Sequence, residues 1–277
     1  MRLFPDRFPA PLCRILYHTF ILCSYRASVI LYFLTDFSRT NLRTHYCYGI
    51  IFHSFTQRSI FKGPKNRFRK ELSMTDYSAF IAITNHHLLP PDSDTLDFIP
   101  GSVSYHRFLA QVEIIAATNV SAIVLREKDL EETVYEALAK DCITLCTHYN
   151  KKLILHFFLE SAHRLNHPYI QLSLSQLETY RKAGLLSDFA QIGTSVHSVD
   201  DVRLAEKLGA DYVFAGNIYE TECKAGLAGR GLAFLKEVCD NTCLPVYAIG
   251  GMTPDRLPGV LEAGAKGACM MSGFMKL

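Results

Sequence analysis

From residue 80 onward, short apolar runs alternate with amphipathic ones in a steady rhythm. The apolar runs "FIAIT" (80–84), "AIVLRE" (122–127), "KLILHFF" (152–158) and "YIQLSL" (169–174) are strand-like in length and in β-branched or aromatic content. "FAQIGTSVH" (189–197), "YVFAGNI" (212–218), "PVYAIGG" (245–251) and "GACMMSG" (267–273) continue the series. Between them, apolar residues at helical spacing predict helices over 105–118, 130–149, 175–184, 199–210, 231–241 and 254–265, with a short one after 158. Strands and helices in strict alternation predict a parallel sheet. Eight such units within about 200 residues fit a closed α/β barrel of the (β/α)8 TIM type better than an open sheet. Residues 274–277 are all that follow the eighth strand, so the barrel is expected to lack its last helix.

Residues 1–73 do not share this rhythm. "ILYHTFILCSY" and "ASVILYFLT" are apolar, yet Arg26 separates them, and neither reaches the ~18 residues of a membrane span. The order of basic, apolar and small residues is also wrong for a secretion signal. No strand or helix periodicity is evident. Charge sharpens the break: 1–73 hold 12 Lys and Arg against 3 Asp and Glu, and the remainder holds 17 against 24. The expected organisation is an unrelated basic and aromatic N-terminal extension over 1–73, outside the functional domain, and a barrel domain over 74–277. A membrane-associated head is the second reading. Nine cysteines without a Cys-x-x-Cys pair favour reduced thiols in a cytoplasmic protein over a metal or disulfide framework. Cys142 and Cys146, and Cys239 and Cys243, would share helix faces.

The fold assigns positions to candidate chemistry, because the working end of such barrels lies at the C-terminal ends of the strands. In "QIGTSVHSVDD" (191–201), alternation puts Gly193, Ser195 and His197 on one face, with Ile192, Thr194 and Val196 against the outer helices. Ser198 and Asp201 read as a capping box opening the next helix. The positive helix end is expected to disfavour an imidazolium, and a neutral imidazole can serve as acid or base. Gly250 and Gly251 end the seventh strand, and Ser272 and Gly273 the eighth, the usual phosphate cradle of these barrels. Arg126 and Lys128 would aim two cations at the mouth. The glycine-bearing loop "YETECKAGLAGRG" after the sixth strand could close over a ligand and bring Thr221 and Lys224 with it. His163 and His167, four apart, read as a surface loop because no third metal ligand accompanies them.

The run from "IGTSVHS" through "YETECKAGLAGRG" and "PVYAIGGMTPDRL" to "MMSG" closely resembles the thiamine phosphate synthase/TenI family, over about 80–273. The synthase branch, as this resemblance implies, joins a pyrimidine diphosphate to a thiazole phosphate with magnesium, releasing pyrophosphate. Its two magnesium aspartates correspond to Phe157 and Gln176 here, its asparagine to His156, its "QLREK" glutamine to Val124, and the second threonine of its "TxTK" loop to Cys223. The chain's "SVHS", "ETECKAGLAGRG" and "AIGGMTPDRL" look instead like the thiazole tautomerase branch. That resemblance implies an isomerase, acting in thiamine biosynthesis on a small-molecule carboxythiazole phosphate by a metal-independent 1,3-proton shift. It places His197 as acid/base, Gly251, Met271, Ser272 and Gly273 at the phosphate, and Arg126, Lys128, Ser195 and Lys224 around the remaining pocket. No cofactor, metal, nucleic acid or membrane partner is expected, and a homo-oligomer is compatible with the pattern. The alternatives are the transferase itself, or a non-catalytic barrel that binds a thiazole or thiamine phosphate for regulation.

Overall fold

The computed structural model describes residues 75–89, 98–221, 226 and 228–277 in full, and 17–24 and 27–34 as backbone. The chain divides into two compact units, Met1–Arg67 and Phe68–Leu277. In the first, β1 (Tyr17–Ser24) and β2 (Ala27–Leu34) pair antiparallel, with Ser24 opposite Ala27 and Tyr17 opposite Leu34. This corrects the expectation that no periodic element occurs there. The two runs lack hydrophobic alternation, but they are rich in the β-branched and aromatic residues that favour strands. The proposed start of the working domain, Met74, lies outside the described residues.

The second unit contains eight parallel strands: β3 (Phe80–Ile83), β4 (Ala122–Leu125), β5 (Leu153–His156), β6 (Tyr169–Ser173), β7 (Gln191–Val196), β8 (Tyr212–Gly216), β9 (Val246–Ile249) and β10 (Gly267–Met270). They close in sequence order, with β10 returning to pair β3. The helices are α1 (Val103–Ala116), α2 (Glu132–His148), α3 (Leu159–Arg164), α4 (Leu174–Lys182), α5 (Val199–Lys207), α6 (Gly231–Asp240), α7 (Leu257–Glu262) and α8 (Ser272–Met275). This is the closed α/β barrel that the alternation predicts. The absence of an eighth helix needs amendment: a single turn, α8, follows β10. Phe274 in that turn is buried against Tyr77 and Phe80, at ring separations of 5.0 and 6.3 Å. The Gln111 amide on α1 ties it down by donating to the Phe274 carbonyl at 2.7 Å.

Side-chain alternation sorts the core into two layers. Ile123, Leu125, Leu155, Ile170, Leu172, Ile192, Val196, Val213 and Ala215 pack outward against the helices. Ile81, Ile83, Val124, Ile154, Tyr212, Phe214 and Cys269 fill the barrel interior, with Tyr169, Tyr247, Ile249 and Met271 partly buried beside them. Tyr135 of α2, wholly buried, donates its hydroxyl to the Leu125 carbonyl at 3.1 Å and accepts the His156 N–H at 2.9 Å. One phenol thus links the C-terminal ends of β4 and β5. Cys142 and Cys146 are buried free thiols on α2, and burial pushes the Cys146 thiol up to about 12. Cys243 departs from the buried expectation: it lies beyond the end of α6 and is exposed. No helix among the described residues is long and apolar enough to cross a membrane.

Candidate active site

The barrel interior carries polar groups below Ser195, on the side formed by β6, β7 and β8, level with the start of β8 at Tyr212. Gln171 stands beside Gly193 across one strand pair, and Tyr212 beside it across the next. A Cβ on Gly193 would fall 2.1 Å from the Gln171 amide oxygen and 2.1 Å from the Tyr212 ring, so no larger residue fits between them. Gln171 donates to the Ser195 hydroxyl at 3.4 Å, a long bond. The Gln171 amide oxygen and the Tyr212 hydroxyl are buried without a partner. Ser195 faces inward above Gly193, as alternation predicts.

His197 follows directly after β7 and is exposed at the rim. Its Nδ1 lies 2.7 Å from the Gly216 carbonyl oxygen at the end of β8. A carbonyl can only accept, so Nδ1 is the donor, and Nε2 has no protein partner among the described residues. The backbone below is anchored twice. Ser198 accepts the Asp201 N–H at 3.0 Å, capping α5, and the Asp201 carboxylate accepts the His197 N–H at 2.7 Å. The expected capping box is therefore corrected by one residue: the carboxylate reaches the amide before the cap, not that of Ser198. The full reciprocal box occurs instead at Ser173 and Gln176, opening α4.

Opposite stands a cationic wall. Val124 points inward, so Arg126 and Lys128 continue on the same face above it. Arg126 is half-buried and Lys128 exposed, and neither has a carboxylate partner among the described residues. Both act on His156, at the inward position two after Ile154. Burial first, then the charges of Arg126 and Lys128, push the His156 imidazole down to about 3. Its Nδ1 is buried and unpaired. The chain then turns sharply: the Phe158 N–H reaches the His156 carbonyl at 3.1 Å across Phe157, whose φ is +78°.

β9 and β10 pair, so their ends bring Gly250 and Gly251 beside Met271, Ser272 and Gly273. The glycines are required by shape. Gly250 has φ +102°, and its Cβ would lie 2.6 Å from that of Asn217; Gly251 has φ +62°, and its Cβ would lie 2.5 Å from the Glu220 carbonyl oxygen. Their carbonyls are occupied, Gly250 by the Tyr219 N–H at 3.1 Å and Gly251 by the Arg256 guanidinium. Ser272 and Gly273 open α8, where the first amides have no intrahelical acceptor. Thr221 lies on the loop after β8, half-buried. Lys224, in the same loop, lies outside the described residues.

The structure thus gathers His197, Ser195, Arg126, Lys128 and the β9 and β10 glycine turns at one end of the barrel. It leaves His163 and His167 elsewhere: His167 Nε2 meets the Leu153 carbonyl, at the opposite end of β5, at 2.8 Å. Sequence reasoning missed the buried polar role of Gln171, whose inward parity in "YIQLSL" is the available signal. It also missed a cluster at the rim between β3 and β4, formed by His86, His87, Glu127 and Asp129. The adjacent histidines of "TNHH", directly after the first barrel strand, were the clue.

The residues matching the synthase's magnesium ligands do not suit a hard cation, which takes oxygen donors. Phe157 is apolar, and the Gln176 amide is already engaged: its oxygen accepts the Ser173 N–H at 3.1 Å and its nitrogen donates to the Phe157 carbonyl at 3.2 Å.

Comparison with known proteins adds the lineage. The family model of thiamine monophosphate synthase, TMP-TENI, matches residues 98–274. A thiamine-phosphate synthase of Synechococcus sp. is 31% identical over 169 residues, covering 61% of this chain and 48% of its own length. That of Coprothermobacter proteolyticus is 31% identical over 165 residues, covering 60% of this chain and 78% of its own. This chain's match thus spans about half of the first relative and most of the second. The solved thiamine phosphate pyrophosphorylase from Pyrococcus furiosus superposes with a TM-score of 0.59 at 23% identity, over 73% of this chain and 89% of that one. At that identity the likeness establishes the fold. With the family match extending from before α1 into α8, the chain belongs to the thiamine monophosphate synthase (TMP-TENI) family.

Proposed function

We propose that the barrel mouth isomerises a carboxythiazole phosphate to its aromatic tautomer by a 1,3-proton shift. The observation that carries this reading is the His197 imidazole, held by Gly216 with Nε2 open at the mouth. Nε2 removes a proton from one ring carbon. The imidazolium so formed keeps its Nδ1–H on the Gly216 carbonyl, which holds the ring in place between the two transfers. The same nitrogen then returns the proton to the second carbon. Negative charge develops on the substrate between the two transfers, and Arg126 and Lys128 are placed to oppose it. The turns of Gly250, Gly251, Met271, Ser272 and Gly273 take the phosphate, with Ser195 and Thr221 completing the pocket. The substrate is a small molecule, and a cytoplasmic setting suits the buried free thiols of α2.

A second reading is the transferase. The relatives named above are thiamine-phosphate synthases, and their names favour a transferase over an isomerase. Phe157 and Gln176 weigh against it, because that reaction's magnesium would find no carboxylate at either position. A third reading is a non-catalytic binder of a thiazole or thiamine phosphate.

Purified protein decides among them. Exchange of the thiazole phosphate's ring proton with solvent deuterium, followed by NMR, should proceed in the presence of chelator. Magnesium-dependent release of pyrophosphate from the pyrimidine diphosphate and the thiazole phosphate would establish the transferase instead. Binding of the thiazole phosphate with neither reaction would leave the binder.

A further inference from the structure

Alternation separates two sets of residues leaving β4. Arg126 and Lys128 turn toward the mouth, and Glu127 and Asp129 turn toward the outer rim. There they meet the turn His86–Leu88 that follows β3, whose cap Asn85 accepts the His87 N–H at 3.1 Å. Glu127 is wholly buried. Its carboxylate accepts the Thr84 hydroxyl at 2.6 Å, the His86 N–H at 3.0 Å and His86 Nδ1–H at 2.7 Å. The last bond engages Nδ1 and leaves Nε2 as the ring nitrogen available to another partner. Phe98 packs against the His86 ring with centroids 4.6 Å apart, and the His87 ring lies against it at 3.9 Å. His87 Nε2 hydrogen-bonds to an Asp129 carboxylate oxygen. Both are open to solvent, at 65% and 44% exposure. One ligand atom from each of His86, His87 and Asp129 lies within 4.8 Å of the others.

We propose that His86, His87 and Asp129 bind a first-row transition-metal dication, with zinc as its representative, and that Glu127 positions His86 for it. The donor set is two imidazole nitrogens and one carboxylate oxygen, the kind zinc accepts and magnesium does not. A buried carboxylate holding the far nitrogen of a histidine is the usual support behind a metal-binding imidazole. Zinc sits about 2.0 Å from nitrogen, which in a tetrahedron brings ligand atoms to roughly 3.3 Å of one another. The three ligand atoms already lie within 4.8 Å of one another, and rotation of the exposed His87 and Asp129 side chains would replace their mutual hydrogen bond by bonds to the ion. Three protein ligands leave a fourth position for water or an anionic oxygen. This site is separate from the His197 chemistry and does not depend on it.

Chelator-treated full-length protein, titrated with Co2+ and then Zn2+, tests the proposal. One equivalent of Co2+ should give the visible absorption of a tetrahedral ion, and Zn2+ should displace it. His87→Ala and Asp129→Ala, both at exposed positions where folding tolerates change, should each abolish that absorption. Glu127→Gln should weaken Zn2+ binding by about 10–100-fold, the usual effect of losing such a support. The chain has nine cysteines, so a near-ultraviolet thiolate-to-cobalt band would assign the ion to them and overturn the proposal. Unchanged affinity in His87→Ala and Asp129→Ala would overturn it equally.

Discussion

Acidification should expose the energetic cost of the imidazole buried at the mouth. His156 is held down to about 3 by burial and by the charges of Arg126 and Lys128, whereas in the unfolded chain it titrates near its ordinary value of 6.5. The folded state therefore refuses a proton that the unfolded state accepts. Stability from this group is complete above pH 6.5 and is lost as the pH falls from 6.5 toward 3. One proton of difference gives a loss of about 1.4 kcal/mol at pH 5.5 and about 2 kcal/mol at pH 5.0. The first corresponds to a Tm roughly 3–6 °C lower for a domain of this size. His167, lowered by burial against the opposing bond to Leu153, adds to the loss in the same direction. The assay is urea unfolding at pH 7.5, 6.0 and 5.5 for the parent and for His156→Asn. The substitution leaves a cavity that lowers stability at every pH, so the quantity to read is the slope with pH. The parent should lose about 1.4 kcal/mol more than the variant by pH 5.5. Parallel curves would refute the reasoning, and with it the placement of both cations beside His156.

Three further outcomes are expected. His197→Asn should retain binding of the thiazole phosphate and lose turnover by ~10²-fold or more, the scale of general acid–base catalysis; undiminished turnover removes His197 from the reaction. Gly193→Ala forces a methyl group into contact with Gln171 and Tyr212 and should cost about 1–3 kcal/mol, read as a Tm several degrees lower; an unchanged Tm would mean that the interior is looser than described. A chain beginning at Met74 should match the full chain in Tm and ligand affinity if residues 1–73 stand outside the working domain, and a Tm lower by several degrees would show that they contribute to it.

The barrel was legible because each strand run carries its own parity. Once Ile192 and Val196 are assigned to the helices, Gly193, Ser195 and His197 must face the other way, and the structure agrees. The glycine turns were legible because positive φ and close approach leave few other residues. What escaped was set by partners distant in sequence. Gln171 and His156 acquire their character from Gly193 and from Arg126, and no local pattern announces either pairing. Glu127 looked like one charge within "LREK", and its burial follows from Thr84 and His86 arriving from another strand. The head failed differently: "ILYHTFILCSY" and "ASVILYFLT" show no alternation, and pattern reading had nothing to hold.

The phenol of Tyr135 turns one amide into a clock. The His156 N–H points to that oxygen rather than to a neighbouring strand, and the oxygen belongs to a helix, α2. Exchange of this proton for deuterium therefore reports on the separation of α2 from β4 and β5. In Tyr135→Phe the amide loses its acceptor, and exchange at His156 should become much faster while the β4 and β5 ladder amides hold their rates. Equal rates in the two proteins would mean that the Tyr135 hydroxyl does not protect this amide.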